Sequence, residues 1–213
     1  MKASVLISSS EHPIFNSLVQ WAIEKNGDVD IFHEEKLLKG GDILFLVSFG
    51  KIVSRDVRKL FNHTLCIHAS DLPYGKGWSP YIWQIVHGKD EIPVSIFEVN
   101  DKVDAGAILA KKSFFLEGHE LYDEINEKLF KVSFDLMDLA MRGGPFKFIP
   151  QDGESSYLRK RSPEDSRIDP GKSISDQFNL IRVADPDRYP NFFDYKNHRY
   201  ILNVQKKGDL CIA

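Results

Sequence analysis

Cysteine is scarce. The 213 residues hold two, Cys66 and Cys211, too few for a disulfide framework and without metal-ligand spacing around either. A reducing cytoplasm is the expected setting, and no metal is expected. Long apolar runs are missing as well. The N-terminal "MKASVLISSS" has one lysine and a short apolar core from Ala3 to Ile7, too brief for a signal peptide, and nothing approaches a membrane span. Positive charge is not in surplus either. Lys and Arg number 28 against 31 Asp and Glu, a net charge of −3, and the cations are scattered. A nucleic-acid surface needs them clustered to neutralise phosphates, so no nucleic-acid partner is expected. Internal repeats and low-complexity segments are absent. What remains is an ordinary soluble composition, 42% apolar and 28% charged, in a chain long enough for one sizeable domain and a small appendage.

Short apolar runs alternate with helical periodicity. "ASVLIS" (3–8), "VDIF" (29–32), "GDILFLVSFG" (41–50), "HTLCIHAS" (63–70), "IPVSIFEV" (92–99) and "AILAKKSFFL" (107–116) read as strands. Between them, Ile14, Leu18, Val19, Ala22 and Ile23 fall at helical spacing, with Gly27 as a stop. "SRDVRKLF" reads as a short helix capped by Ser54, and "SPYIWQIVHG" as one capped by Ser79 with Pro80 in its first turn. The longest periodic stretch, 118–144, ends at Gly143-Gly144. This order predicts an α/β fold, Rossmann-like, with a mostly parallel sheet and flanking helices. Beyond Pro150 the chain turns polar. A small extension is expected over 151–213, with a short helix near 173–184 and strand-like runs "DYKNHRYILNV" and "LCIA" joined by a "KKGD" turn.

Chemistry concentrates in "CIHASDLPYGKGWSP" (66–80). His68 stands where a strand gives way to a turn-rich loop, and α/β folds hold ligands beyond the carboxyl ends of their strands. A lone histidine is more often structural than catalytic. Here Pro and Gly fix the path of the loop, as a pre-organised site requires. "VNDKVDAGAIL" then offers Asp104 at another strand edge, followed by Gly106, where backbone can approach closely.

"HASDLP", then "GKGWSP", then "VDAGAIL" about thirty residues later resembles the 10-formyltetrahydrofolate-dependent formyltransferases over roughly residues 40 to 110. Their pattern is Asn-x-His-x-Ser-x-Leu-Pro, a downstream Gly-x-x-Pro and a later Asp-x-Gly. "RKRSPEDSRID" (159–169) and "LIRVADPDRYPNFFDYKNHRY" (180–200) look like tail segments of members that act on sugars. The resemblance implies formyl transfer from 10-formyltetrahydrofolate to an amine. His68 would stabilise the oxyanion that forms, and Asp104 would orient His68 and accept the amine's proton.

The chain departs from that pattern at Cys66, which occupies the family's asparagine position. A thiol cannot give the amide's hydrogen bond, and loss of one such donor costs about 2.7–4 kcal/mol in other enzymes. Asn62 lies too far upstream to replace it. Three readings stay open: Cys66 as buried filler, as a thiolate nucleophile paired with His68, or as the mark of a binding protein with weak catalysis. Folate hydrolysis, with water as acceptor, is a further alternative.

The resemblance also orders the substrates. "SSSEHP" after the first strand lacks the glycines that cradle a ribonucleotide phosphate. A tRNA substrate is expected to need a large basic C-terminal domain, whereas about sixty residues follow Pro150 and the chain as a whole is net-negative. A nucleotide-linked amino sugar remains, by resemblance a UDP- or dTDP-4-amino-4,6-dideoxy sugar of the pseudaminic-acid type used in surface glycans. Ser70, Lys76, Trp78, Tyr81 and Arg182 are the candidate substrate residues, with Lys76 and Arg182 for the diphosphate. Tyr157, Tyr189, Phe192 and Phe193 are further candidates to stack a base. The folate is expected against Phe49, Gly50 and Ile52 on one side and Phe97, Val99, Asp101 and Asp104 on the other. A homodimer through the terminal hairpin is expected by analogy with similar sugar enzymes.

Overall fold

The computed structural model describes residues 1–208. Its strands are β1 (Ala3–Leu6), β2 (Val29–Phe32), β3 (Gly41–Leu46), β4 (Phe61–His68), β5 (Lys76–Gly77), β6 (Glu91–Glu98), β7 (Ile108–Phe115), β8 (Tyr157–Leu158), β9 (Asn191–Tyr195) and β10 (His198–Leu202). The helices are α1 (Phe15–Ile23), α2 (Arg55–Arg58), α3 (Pro80–Val86), α4 (Tyr122–Met141) and α5 (Ile174–Arg182).

Six strands form the central sheet in the order β2-β1-β3-β4-β6-β7. The first four run parallel, β6 returns antiparallel to β4, and β7 pairs antiparallel with β6. The expected mostly parallel α/β fold is therefore what forms. β1 and most of β3 are buried, because a central parallel strand is covered on both faces and needs apolar residues at successive positions. β7 lies at the edge and turns Lys111 and Lys112 outward, a charge placement that discourages pairing with another chain.

Side-chain alternation divides the core. Val5, Ile43, Phe45 and Leu65 meet α1, α3 and α4 on one face. Leu6, Leu44 and Leu46 meet Val53, Val57 and Phe49 on the other, with Cys66 packed beside them. Cys66 and His68, two apart on β4, share that second face. α4 buries Ile125, Leu129, Val132, Leu136 and Ala140, a stripe at helical spacing, and the chain leaves it through Gly143 and Gly144, both at positive φ.

Two local expectations need correction. Ser54 caps α2 by accepting from the Val57 amide at 3.3 Å, but Ser79 makes no such bond to α3. Its backbone is left-handed (φ 47°), which turns the chain sharply out of β5 and carries the side chain away from a capping position. The C-terminal hairpin also differs. Its turn is Lys196-Asn197, inside the run read as one strand, and β9 and β10 flank it. Both turn residues have positive φ, the geometry of a two-residue hairpin turn that matches strand twist. "LCIA" lies outside the described residues.

Arg182 anchors α5 rather than a ligand. It is 1% exposed, its Nε donates to Asn179 at 2.8 Å, and its guanidinium lies 3.6 Å from Glu120 and 3.8 Å from Asp90. Burial alone would raise the Glu120 pKa. The Lys128 ammonium and the amides of Glu117 and Gly118 outweigh it and hold the carboxyl at about 2, against an ordinary 4.5. A folded value below the unfolded one gives stability that is complete above the unfolded value and lost as pH falls through the folded one. Urea unfolding should therefore weaken between pH 4.5 and 2, and Glu120→Gln should flatten that slope. At pH 7 the variant should lose about 3–5 kcal/mol, because Arg182 is left buried without its nearest counter-charge. An unchanged acid slope in the variant would contradict this account.

Candidate active site

β4 delivers His68 to the carboxyl end of the sheet, and the following loop folds back over it. Ser70 is fully enclosed, with its amide on the His68 carbonyl (2.9 Å) and its own carbonyl accepting from the Ser95 hydroxyl (2.7 Å). The return path brings the Gly75 carbonyl to 2.9 Å from His68 Nε2. A carbonyl only accepts, so the Nε2 nitrogen carries the proton in this arrangement and Nδ1 is left for other work. Asp104 approaches the same Nε2 at 4.0 Å, outside hydrogen-bond range. The Gly75 carbonyl thus holds the ring, and Asp104 acts on it through space. This corrects the expectation that Asp104 orients His68 directly.

Asp104 is held in turn by backbone. The Gly77 amide donates to its carboxylate at 2.9 Å. Gly77 can sit there only as glycine: its φ is +97°, and a Cβ would lie 2.4 Å from the Leu158 carbonyl oxygen. Gly106 is more constrained still, since a Cβ would lie 1.5 Å from the Glu98 carbonyl oxygen, beside an irregularity in the β6–β7 register. Asp104 itself lies at φ 49°. The glycines of "GKG" and "DAG" are thus what lets two loops meet beside His68.

Cys66 is a half-buried, uncharged thiol. Its Sγ lies 3.7 Å from the Ile67 carbonyl, and it packs with Val99 and Phe97. Burial, and secondarily the Asp104 charge, push its pKa far above the usual thiol range. Burial thus works against the nucleophile reading, because the thiolate is the reactive form. Asn62 points its amide at Asp42 (3.2 Å), six residues before His68 on β4, and does not replace the missing family asparagine.

The expected folate residues gather on the Cys66 face. Phe49 and Val99 are half-buried and pack beside Cys66, and Phe97 is buried beneath it. The Gly50 amide donates to Ser8 Oγ at 2.9 Å, and Gly50 abuts the edge of Trp78. Ile52 is 75% exposed. Asp101 reaches across to Arg58, tying the 99–104 segment to α2. Between α2 and that segment lies a cleft of about 230 Å³, lined by Arg58, Thr64, Glu98 and Val99 among others. Thr64 is 2% exposed, and its hydroxyl has no partner among the described residues.

The expected substrate residues scatter. Lys76 is buried, with Nζ on the Ser155 hydroxyl at 3.2 Å and near the exposed Tyr157 ring. Trp78 is 45% exposed beside Gly50, with Lys160 Nζ 4.9 Å over its ring. Tyr81 turns inward and donates to Asn126 at 3.1 Å; burial pushes its phenol well up. Tyr189 is exposed, Phe192 is buried under Arg167 and Arg199, and Phe193 stacks on Tyr200. Arg182 is not brought to the site at all: its guanidinium is enclosed between Glu120 and Asp90, so a diphosphate could not reach it. Sequence reasoning missed the Gly75 carbonyl and Gln151. The carbonyl is invisible in any side-chain motif, and Gln151 sits one residue past the point where the chain turns polar.

The Formyl transferase family pattern matches residues 9–139, most of the chain. The chain belongs to this family. The match is wider than the 40–110 stretch that the motifs alone support. The chain is 29% identical over 175 residues to the bifunctional polymyxin resistance protein ArnA of Wigglesworthia glossinidia brevipalpis, covering 78% of this chain and 26% of that one. It is 31% identical to a methionyl-tRNA formyltransferase of Streptococcus agalactiae serotype III, covering 72% and 50%. The chain thus spans about a quarter to a half of the length of these curated relatives. Among solved structures, methionyl-tRNA formyltransferase from Clostridium thermocellum superposes with a TM-score of 0.75 at 23% identity, over 93% of this chain and 90% of that one. A 4-N formyltransferase from Francisella tularensis gives 0.66 at 17% identity over 98% of both. HypX from Aquifex aeolicus, solved with tetrahydrofolic acid, gives 0.72 at 20% identity over 93% and 36%.

The protonated, half-buried state of Cys66 is directly measurable. In a Cys211→Ser variant, a disulfide reagent at pH 8 should label Cys66 at least about tenfold more slowly in the native protein than in urea, since the thiolate is the attacking form. Equal rates would mean an accessible, ionised thiol.

Proposed function

We propose that this formyltransferase moves the formyl group of 10-formyltetrahydrofolate to the amine of a nucleotide-linked amino sugar. A UDP- or dTDP-4-amino-4,6-dideoxy sugar destined for surface glycan is the substrate class. The observation that carries the transfer reading is His68 fixed by the Gly75 carbonyl with the Asp104 carboxylate 4.0 Å away. Bound 10-formyltetrahydrofolate supplies an electrophilic formyl carbon to the attacking amine. With Nε2–H committed to Gly75, His68 meets the reacting groups through Nδ1, donating to negative charge on the formyl oxygen when the ring is protonated. Asp104 offsets the ring's positive charge and takes the amine's proton, directly or through water, and that proton passes to N10 of the folate as the bond from N10 to the formyl carbon breaks.

The Cys66 face suits the folate. Val99 and Phe61 offer apolar walls beside the Glu98 carboxylate and the Arg58 guanidinium, a lining that suits a flat heteroaromatic ring with polar edges. Beside Gly50, Trp78 with Lys160 above it suits a nucleobase followed by phosphates. The 4-N formyltransferase among the structural neighbours and ArnA among the relatives support a sugar acceptor, and the methionyl-tRNA formyltransferases in both comparisons make tRNA the competing one. The reading extends to a cytoplasmic homodimer paired through the β9–β10 hairpin, where Tyr195, Tyr200 and Ile201 are exposed. Residues 151–208 are then an extension that completes the site as well as the dimer.

Incubation with 10-formyltetrahydrofolate and a panel of UDP- and dTDP-linked 4-amino sugars should release tetrahydrofolate with one of them. Release without any sugar would indicate a hydrolase, and no release despite folate binding would indicate a binding module. Cys66→Asn should change the rate little or lower it; a large gain from near zero would favour the binding module. Trp78→Ala should raise KM for the sugar nucleotide about tenfold or more with kcat nearly kept, since base–aromatic stacking contributes about 1–3 kcal/mol. An unchanged KM would remove Trp78 from the nucleotide site.

A further inference from the structure

Gln151 makes an arrangement that the reaction does not by itself call for. Its one side-chain amino group donates to two carbonyls, those of Asp104 and Gly106, both at 2.9 Å. These flank the turn that presents the Asp104 carboxylate. The amide cannot be reversed, because its oxygen would then face two acceptors. The oxygen is instead buried with no partner among the described residues, so the side chain is oriented by the turn alone. Just before it, Ile149 is locked to Ile108 by a reciprocal pair of backbone bonds, 2.7 and 2.8 Å, which fixes where Gln151 enters.

The turn needs such a hold. Asp104 has a left-handed backbone, which a residue with a Cβ keeps only where its surroundings determine it. Among the described residues, the carboxylate is held from the other side by the Gly77 amide alone, at 2.9 Å. Without Gln151, both carbonyls would lose their buried donor and the backbone could relax toward an ordinary φ. The carboxylate would then swing away from His68.

We propose that Gln151 is a positioning residue that clamps the Asp104 turn so that its carboxylate stays beside His68. Its bearing on rate rests on the proposed role of Asp104 in transfer; its bearing on geometry does not. Gln151→Met keeps the side-chain volume and removes both donors. Amide exchange at Gly77, followed by NMR, reads the placement of the Asp104 carboxylate without any acceptor sugar. In Gln151→Met that exchange should speed up at least about tenfold, while the core amides of α4 keep their protection. Unchanged exchange at Gly77, or an even loss across the protein, would overturn the clamp. Should the thioether disturb packing, Gln151→Leu removes the same donors with a shorter, uncharged side chain.

In the transfer assay, kcat should fall by up to about 10²-fold, the scale of a 1 Å misplacement, with KM for folate within about threefold. In an Asp104→Asn background the same change should cost less than about twofold, because one residue acts through the other. Full multiplicative losses would overturn the clamp. If no sugar in the panel is formylated, the exchange measurement still decides it. If a sugar is formylated and Gly77 exchange does not change, the clamp alone is wrong.

Discussion

The Gly77 amide and the Asp104 carboxylate meet at 2.9 Å, and most of the site follows from that one bond. It joins the loop after β4 to the turn before β7, two segments that share no ladder hydrogen bonds. The loop carries the Gly75 carbonyl, which holds His68; the turn carries the charge that faces the ring. A side chain at position 77 would strike the Leu158 carbonyl, and one at 106 would strike the Glu98 carbonyl. The glycines therefore set how closely two functional segments pack, rather than supplying flexibility. The residues after 150 complete the assembly. Tyr157 and Leu158 pair with β5, the Ser156 hydroxyl accepts from the Gly75 amide at 2.8 Å, and Gln151 grips the turn.

Much of this was legible from residue pattern, and the limits have physical causes. Continuous apolar runs identify β1 and β3, and the stripe on α4 identifies its buried face, because burial on two faces or one leaves a period in the chain. The His68 and Asp104 pair was legible through spacing. What holds them was not, because the Gly75 carbonyl and the Gly77 amide are backbone groups that every residue has. The hairpin turn was missed because Lys196-Asn197 adopts positive φ without a glycine to announce it. Arg182 was misread because a charge close to a motif suggests a ligand, whereas its full burial depends on α5 packing beside α3 and on Glu120 and Asp90 reaching it from the segments before α4 and β6.

Cys66 shows how a departure from a family pattern divides into separate questions. Its position on β4 puts it on the face shared by His68 and the expected folate, as the family's asparagine would be. Its thiol is kept neutral by burial and by the Asp104 charge, so it has become packing between Val99 and Phe97 rather than a new nucleophile. Under the proposed function, the electrostatic work then falls more heavily on the histidine. That places a premium on the ring's orientation, and the Gly75 carbonyl supplies it.

The central claim is that formyl transfer depends on His68 in this orientation. Replacing it by alanine and following both tetrahydrofolate release and folate affinity tests that claim most directly. The account predicts a fall in transfer of about 10²-fold or more, the scale set by losing an oxyanion donor, with folate affinity within a few-fold of the parent. Transfer at nearly the parental rate, with the protein folded and folate bound, would contradict it.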